Sequence, residues 1–242
     1  MNRTQSGSRV RRPVPNFNVE KNRSPIPGLP SCNGFAKPTS GFVALTFDDG
    51  PNPQVTEPLL DYLLEHDIWT SFFLVGERAA ANKSTVAALH KAGMVIGNHS
   101  WSHPALGELT GEAVREQVRK AHHEISSIIG EPVRVLRAPY NQLSDQTGSA
   151  VALFEEMQSL GYSHHCGFGP VMPDWEDRSA DDLIGHLRAT VPKRWGHANF
   201  DHKWILAHDY YGSFDRMRAI LDWLRGEVGY FSLRFTGVIS SV

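Results

Sequence analysis

An apolar run breaks into two carboxylates and a Gly-Pro turn in the stretch Gly41-Phe42-Val43-Ala44-Leu45-Thr46-Phe47-Asp48-Asp49-Gly50-Pro51. Residues 42–47 are apolar or β-branched, which predicts a strand that ends at the first aspartate. Asp, Gly and Pro are also ordinary turn residues, so the stretch alone is weak evidence of chemistry. Its meaning depends on what the fold brings beside the two carboxylates.

Two histidines stand four positions apart in the later segment Asn98-His99-Ser100-Trp101-Ser102-His103. This spacing predicts that both rings lie on one side of a helical turn, where a carboxylate from the first segment would complete three ligands for a divalent metal. Alone, the pair fits a polar loop better, and two histidines with one carboxylate also occur in iron oxygenases. The spare aspartate favours a hydrolase, because it can act as a base beside the metal.

Short apolar strands alternate with helical patterns from residue 41 onward. This alternation predicts an α/β fold with a parallel sheet and crossover helices, and seven or eight strands favour a (β/α) barrel in a single domain. The predicted strands cover 42–47, 69–75, 94–97, 133–136, 162–167, 204–207 and 230–235, and the predicted helices cover 55–66, 84–92, 110–130, 150–160, 180–190 and 214–225. Thr110 is the predicted cap of the third helix, and Gly130 its end.

Candidate polar groups fall at the carboxyl ends of these strands, which in a (β/α) barrel share the face that carries the active site. Arg137 could hold a catalytic carboxylate ionised, although it also fits a surface arginine. His208 could protonate a leaving group, with its charge set by a carboxylate such as Asp174, which otherwise fits a surface turn. The groups that a barrel would bring together are Asp48, Asp49, His99, His103, Arg137, His208 and Asp209.

Residues 1–40 differ from the rest of the chain in charge and composition. They hold six prolines and seven Lys or Arg residues against Glu20, a net charge of +6 in a chain whose formal net charge is −2. We interpret them as an extended or disordered basic N-terminal arm and residues 41–242 as the folded domain. The scattered charges favour a solvated tail over a nucleic-acid partner.

The sequence also bears on the compartment and on cysteine chemistry. No apolar segment of signal-peptide length follows Met1, and no run approaches the roughly 18 apolar residues of a membrane span, so we expect a cytoplasmic protein or a trimmed export product. Cys32 and Cys166 are the two cysteines of the chain. They predict two inert buried thiols, with a bridge between arm and domain as the alternative in an exported protein.

Five short patterns line up along the chain: Thr-Phe-Asp-Asp-Gly-Pro at 46–51, His-Ser-Trp-Ser-His at 99–103, Arg-Ala-Pro-Tyr at 137–140, Asp-Trp at 174–175 and Leu-Ala-His-Asp at 206–209. Each is weak alone. Their order and spacing, over roughly residues 40–240, resemble the polysaccharide deacetylases, the NodB-homology domain of carbohydrate esterase family 4. The resemblance implies a distorted (β/α) barrel and the removal of N-acetyl, sometimes O-acetyl, groups from polymers such as chitin, peptidoglycan or acetylxylan.

The resemblance also implies which residues activate water. Asp48 would be the general base, and Arg137 would orient it. A divalent metal, usually zinc with cobalt or another ion as alternatives, would be held by Asp49, His99 and His103.

The remaining matched residues would bind and protonate the substrate. Tyr140 would give its backbone N–H to the oxyanion of the tetrahedral intermediate. Trp175 and Leu206 would line the pocket for the acetyl methyl group. His208 would be the general acid, with Asp174 as its partner.

We therefore expect a metal-dependent hydrolase that removes N-acetyl groups from N-acetylglucosamine-containing poly- or oligosaccharides of chitin or peptidoglycan type. Two alternatives stay open: a non-catalytic carbohydrate-binding protein on the same fold, and a cyclic-amide hydrolase. All the expected catalytic positions are occupied, which argues against the first alternative. The intact aspartate and histidine motifs favour a deacetylase of sugars over the second. Asn141-Gln142 replaces the glycine that usually follows Arg-Ala-Pro-Tyr, which predicts an altered loop near the substrate.

Overall fold

Strands and helices alternate in the computed structural model, which describes residues 43–141, 148–166, 171–190, 193–194, 197–198 and 203–228. The elements in chain order are β1 (Val43–Asp48), α1 (Pro53–Glu65), β2 (Ser71–Leu74), α2 (Gly76–Ala81), α3 (Lys83–Lys91), β3 (Val95–Asn98), α4 (Gly111–Ile129), β4 (Val135–Leu136), α5 (Gly148–Ser159), β5 (His164–His165), α6 (Ala180–Thr190), β6 (Lys193–Arg194), β7 (His197–Ala198), β8 (Lys203–His208) and α7 (Phe214–Val228). Single 3-10 turns lie at Leu106–Glu108 and Pro139–Asn141.

The main sheet has six parallel strands in the order β5-β4-β3-β2-β1-β8. Strands β1 to β5 are neighbours in sequence order, and β8 returns to pair with the free edge of β1. Val171 adds an isolated parallel bridge to Leu206 on the far edge of β8. This parallel α/β sheet is the predicted fold class, and residues 167–170, between β5 and the bridge, lie outside the described residues.

The two faces of the sheet carry different kinds of side chain. Phe47 and Phe72 stack with their ring centroids 5.1 Å apart and belong to the apolar core. Because successive strand residues point to opposite faces, Thr46 and Asp48 lie on the other face. Arg137 bridges them there, since its Nη1 donates to Oγ1 of Thr46 and Oδ1 of Asp48. The site therefore lies on the face opposite this apolar cluster.

Helix α4 begins and ends where the sequence predicts. The side chain of Thr110 accepts a hydrogen bond from the backbone N–H of Ala113 at 3.4 Å. Gly130 ends the helix with a φ of 78°, a left-handed angle that glycine adopts without steric cost. The apolar residues Val114, Val118, Ala121 and Ile125, spaced by four, three and four positions, are buried on one face of this helix.

Several elements differ from the prediction or lie beyond the described residues. The sequence did not predict α2, which has six residues and is too short to show a helical period. It also did not predict the antiparallel hairpin of β6 and β7, whose strands have two residues each. The predicted strand over 230–235 and the predicted arm over 1–40 lie outside the described residues.

The cysteine prediction needs a correction. Cys166 follows β5 and is fully buried, as expected, but it is disulfide-bonded. The expectation of an inert thiol is therefore wrong for this residue. Cys32, the other cysteine of the chain, lies outside the described residues.

No helix in the part of the chain that the structure describes is long and apolar enough to cross a bilayer.

Helix α1 offers a matched test of core packing, because Leu63 is fully buried whereas the adjacent Leu64 is 38% exposed. We expect Leu63→Ala to lower the free energy of unfolding by about 2–5 kcal/mol, since it removes buried methyl groups and leaves a cavity. Leu64→Ala should change it by less than about 1 kcal/mol. Urea denaturation of both variants checks this, and equal losses would contradict the placement of α1.

Candidate active site

The sheet brings four distant segments together at its carboxyl edge. Asp48 ends β1 and is the register partner of His208, which ends β8. His99 follows directly after β3, and its backbone N–H donates to the last residue of β2. Arg137 follows β4, and its backbone N–H donates to the carbonyl of Asn98 at 3.0 Å. The convergence that the sequence predicts is therefore present in the structure.

Asp49, His99 and His103 form a compact group of candidate metal ligands. Oδ1 of Asp49 lies 2.9 Å from Nε2 of His103 and 3.3 Å from Nε2 of His99. One ligand atom from each residue lies within 4.8 Å of the other two. Ligands at about 2.1 Å from a tetrahedral ion are separated by about 3.4 Å, so the group has the size for one such ion.

Hydrogen bonding around His99 also fits a cation at this position. Nδ1 of His99 lies 2.7 Å from the backbone carbonyl of Arg137, which can only accept, so Nδ1 carries the proton in the neutral ring. Nε2 then points a lone pair towards Oδ1 of Asp49. That buried oxygen has no aligned hydrogen-bond donor among the described residues. In that neutral form the converging lone pairs would repel one another, so a metal ion or a proton must lie between Nε2 and Oδ1.

The segment 99–103 is a tight turn rather than the predicted helical turn. Ser100 and His103 have positive φ angles of 67° and 62°, which an α-helix excludes. The backbone N–H of Ser100 donates to Oδ1 of Asn98 at 2.7 Å, and its Oγ accepts from the N–H of His103 at 3.1 Å. These side-chain bonds replace the helical ones, and both rings still reach Asp49, whose own φ is 72°.

Asp48 is held by a buried arginine. Nη1 of Arg137 lies 2.6 Å from Oδ1 of Asp48, and both side chains are almost fully buried. The guanidinium also lies over the ring of Phe73, 4.1 Å from its centroid. Burial lowers the pKa of Arg137, and the Asp48 carboxylate opposes that shift. Oδ2 of Asp48 lies 3.6 Å from Nε2 of His99, beside the ligand group.

Asp49 is a carboxylate at neutral pH. Burial raises its pKa, but the imidazoles of His103 and His99 outweigh burial and hold the pKa well below the usual range. Asp49 and Asp48 are therefore adjacent in sequence but differ in their partners: imidazole nitrogens for one and a guanidinium for the other.

His208 and Asp174 form a second buried pair of titratable side chains, after Arg137 and Asp48. Nδ1 of His208 lies 2.6 Å from Oδ1 of Asp174, and its backbone N–H donates to Oδ2 at 2.8 Å. Burial lowers the pKa of His208, but Asp174, with smaller contributions from Asp48 and Asp49, raises it above the ordinary value. The carboxylate accepts a hydrogen bond from Nδ1–H, which leaves Nε2 as the ring nitrogen available to a substrate.

The three residues expected to contact the substrate lie beside these pairs. Tyr140 has a φ of 56° and is 60% exposed, and its ring centroid lies 4.7 Å from that of His103. Trp175 is 47% exposed and packs edge-on against His208 at 5.2 Å. Leu206 is buried two residues before His208 in β8, on the same face of the sheet.

Two residues without a predicted role also contact the Asp49 turn. Nη1 of Arg78 donates to the backbone carbonyl of Asp49 at 2.6 Å, and its guanidinium stacks on Tyr210 at 3.5 Å. Burial and the neighbouring Asp49 carboxylate raise the pKa of Tyr211 to about 12. Arg78 follows the carboxyl end of β2, so the strand-end rule that selected the other residues could have selected it.

Asp209 was placed at the site by the sequence but given no role. Its carboxyl is fully buried, and Oδ2 accepts from the hydroxyl of Thr56 at 2.7 Å. A Cβ on Gly50 would lie 2.2 Å from both carboxyl oxygens, so only glycine leaves room for this carboxyl behind the Asp48-Asp49 turn. Burial raises the pKa of Asp209 to about 7.

Comparisons with known proteins agree with this architecture. Residues 36–163 match the family model of the polysaccharide deacetylases. Peptidoglycan-N-acetylmuramic acid deacetylase PdaC of Bacillus subtilis is 30% identical over 174 residues, which cover 72% of this chain and 33% of PdaC. A chitooligosaccharide deacetylase of Sinorhizobium fredii is 38% identical over 152 residues, 62% of this chain and 66% of the relative.

A solved structure of PdaC from Bacillus subtilis superposes with a TM-score of 0.66 at 29% sequence identity, covering 81% of this chain and 88% of that one. By sequence, this chain spans about a third of the length of full PdaC. The family match covers more than half of the residues, and the solved fold agrees with the parallel sheet described above. The chain therefore belongs to the polysaccharide deacetylases, the NodB-homology family of carbohydrate esterase family 4 that its five motifs resemble.

Proposed function

We propose that this chain is a metal-dependent deacetylase that hydrolyses the acetamide of N-acetylglucosamine-type units in a poly- or oligosaccharide. One observation carries the proposal: a buried carboxylate, Asp48, and a histidine paired with a carboxylate, His208, lie opposite each other on β1 and β8, beside a three-ligand metal group. A base and an acid next to a Lewis acid are what amide hydrolysis requires.

Zinc is the metal that we propose for Asp49, His99 and His103. Two imidazoles and one carboxylate match the ligand types and number of catalytic zinc sites, which keep one position open. When bound, a divalent ion of this kind lowers the pKa of water and polarises a carbonyl oxygen. Cobalt or another divalent ion would suit the same donors.

Asp48 is the proposed general base. Arg137 fixes its Oδ1, so Oδ2 is the oxygen that faces the ligand group and can take a proton from the attacking water. The water oxygen then adds to the acetyl carbonyl carbon. The backbone N–H of Tyr140, three residues after Arg137, is the proposed donor to the oxyanion.

His208 is the proposed general acid. Its Nδ1 is bound to Asp174, so the proton of Nε2 goes to the sugar nitrogen as the carbon–nitrogen bond breaks. The products are acetate and a free amine. Asp174 raises the pKa of His208, which favours the protonated ring that this step requires.

The proposed substrate is a glycan because exposed aromatic rings lie beside the site, Trp175 against His208 and Tyr140 against His103. Tyr140, Trp175 and Tyr210 are three of the large hydrophobic side chains that stay exposed in the described residues. Aromatic faces stack on the apolar faces of sugar rings. PdaC and the Sinorhizobium fredii relative are named for peptidoglycan and chitooligosaccharide, which supports an acetylated amino sugar as the reacting unit.

Acetate release tests the proposal directly. Metal-stripped protein should release acetate from N-acetylglucosamine oligomers only after zinc is added, and the shortest oligomer that reacts reports the length of the groove. Asp48→Asn should bind zinc normally but lose at least about a thousandfold in kcat, because the amide cannot accept the proton.

Other outcomes would redirect the assignment. Full activity of Asp48→Asn would reject the base. No release by folded, zinc-loaded protein from chitin oligomers, peptidoglycan or O-acetylated xylan would reject the deacetylase. Binding without turnover would then indicate a non-catalytic carbohydrate-binding protein, and turnover of small cyclic amides a cyclic-amide hydrolase.

The ligand assignment predicts a loss of metal. His103→Ala and His99→Ala should each lower zinc occupancy at micromolar metal, because two ligands hold the ion far more weakly than three. Metal content after dialysis measures this. His123→Ala removes an exposed histidine from α4 and should leave occupancy unchanged. Undiminished zinc in His103→Ala would remove this residue from the ligand set.

The acid assignment predicts a pH shift. Asp174→Asn removes the carboxylate that raises the pKa of His208, and burial then lowers that pKa. Since the acid must be protonated, the high-pH limb of the kcat profile should move to lower pH. Asp177→Asn removes an exposed carboxylate from the same loop and should leave the limb in place. A profile unchanged in Asp174→Asn would reject His208 as the acid.

A further inference from the structure

The loop that carries Asp174 and Trp175 has few anchors of its own. It starts at Met172, whose backbone N–H donates to the carbonyl of Leu206 at 2.8 Å, and it ends at α6. Residues 175–179 are all exposed. Asp174 itself is buried and bonded to His208, but the residues that follow it have little buried surface, and such segments are the first parts of a protein to move.

Arg216, in the first turn of α7, binds this loop through three backbone carbonyls. Nη1 donates to the carbonyls of Glu176 at 3.1 Å and Arg178 at 3.0 Å, and Nη2 donates to the carbonyl of Asp174. A planar guanidinium presents several donors in a fixed fork, so the three carbonyls are fixed relative to one another and to α7.

The backbone before α7 is shaped to admit this guanidinium. Gly212 has a φ of 70°, and a Cβ added there would lie 2.1 Å from Nη2 and 2.5 Å from Cζ of Arg216. The guanidinium therefore lies directly against the glycine. Gly212 follows His208 by four residues. The segment that carries the proposed acid therefore also carries the glycine against which Arg216 packs.

We propose that Arg216 is a positioning residue that holds the 174–178 loop so that Asp174 pairs with His208 and Trp175 stands at the substrate side of the site. The roles of these two residues rest on the proposed function, whereas the hydrogen bonds from Arg216 to the loop do not depend on it. Arg216 acts through Asp174 and Trp175 and does not touch the reacting atoms.

Arg216→Met is the first test, because methionine keeps an unbranched apolar stem and removes all the donors. Hydrogen–deuterium exchange of the peptide covering 173–179 should accelerate by about tenfold or more, since the loop loses its clamp. On N-acetylglucosamine oligomers, kcat should fall because the acid loses its partner's position. KM should rise because Trp175 is displaced from the substrate side. Together kcat/KM should fall by about 10- to 100-fold, at unchanged zinc content.

Two further substitutions separate the effect of the planar guanidinium donors from the effect of the positive charge. Arg216→Lys keeps a cation but has no planar fork, and it should resemble Arg216→Met. Arg218→Met removes a cation from the same helix, where Arg218 is exposed and pairs with Asp215, and it should leave loop exchange and kinetics unchanged. Full retention in Arg216→Lys would assign the effect to charge and overturn the clamp.

Two glycine substitutions test the contact between Gly212 and the guanidinium without altering Arg216. Gly212→Ala and Gly130→Ala both place alanine at a positive φ, at 70° and 78°, but a Cβ at Gly130 meets nothing within 4 Å. Their backbone strain should be similar. Gly212→Ala alone should accelerate exchange over 173–179. Equal behaviour of the two variants would contradict the proposal, and this pair also serves if Arg216→Met does not fold.

The pH profile gives a readout that a general loss of stability would not move. The charged groups that act on His208 are Asp174, Asp48 and Asp49. Only Asp174 is carried by the clamped loop, so Arg216→Met should shift the high-pH limb of kcat in the same direction as Asp174→Asn. Unchanged exchange in Arg216→Met would reject the clamp whatever the substrate, whereas faster exchange in a protein that releases no acetate would reject the proposed function alone.

Discussion

Four aspartate carboxyl groups are buried where the strands of the sheet end, and the site depends on how each charge is neutralised. A buried charge without a partner costs several kcal/mol, so each carboxyl needs a cation or a proton. Asp48 has a guanidinium and Asp174 an imidazole at 2.6 Å. Asp49 faces two imidazoles in a group sized for a metal ion. Asp209 has a hydroxyl, and burial raises its pKa to about 7, which lets it keep a proton.

Because their partners differ, the four carboxyl groups can have different chemical roles although they lie close together. A fixed guanidinium orients a carboxylate, as a base requires, whereas a carboxylate that faces two imidazole nitrogens has the donors of a metal site. The β1–β8 register decides that this happens, because it sets Asp48 opposite His208. A slip by one residue would turn Asp48 towards the apolar core and bring Phe47 into the site. The apolar face of the sheet therefore stabilises the register that places Asp48 beside His208.

The sequence predicted the parts of the site that follow from strand ends and local helix chemistry. Strand periodicity located Asp48 and His208, and Thr110 and Gly130 marked the ends of α4. The helical turn at His99 was wrong, because serine gives no local sign of a positive φ. Arg216 gave no signal at all. Its contacts with the 174–178 loop join residues about forty positions apart, and only the packing of α7 creates them.

The two halves of the site are held in different ways, and this bears on what can vary among relatives. The proposed base and metal ligands lie at or beside strand ends, where the sheet fixes them. Asp174 and Trp175 stand on a loop that a single guanidinium binds, and Tyr140 is on an exposed turn. Loops accept sequence changes that a buried sheet does not. Under the proposed function, the sheet fixes the reacting groups, and the loops, whose position depends on a few polar contacts, would select the glycan. Such a separation would let one arrangement of the proposed base, metal ligands and acid act on different acetylated polymers.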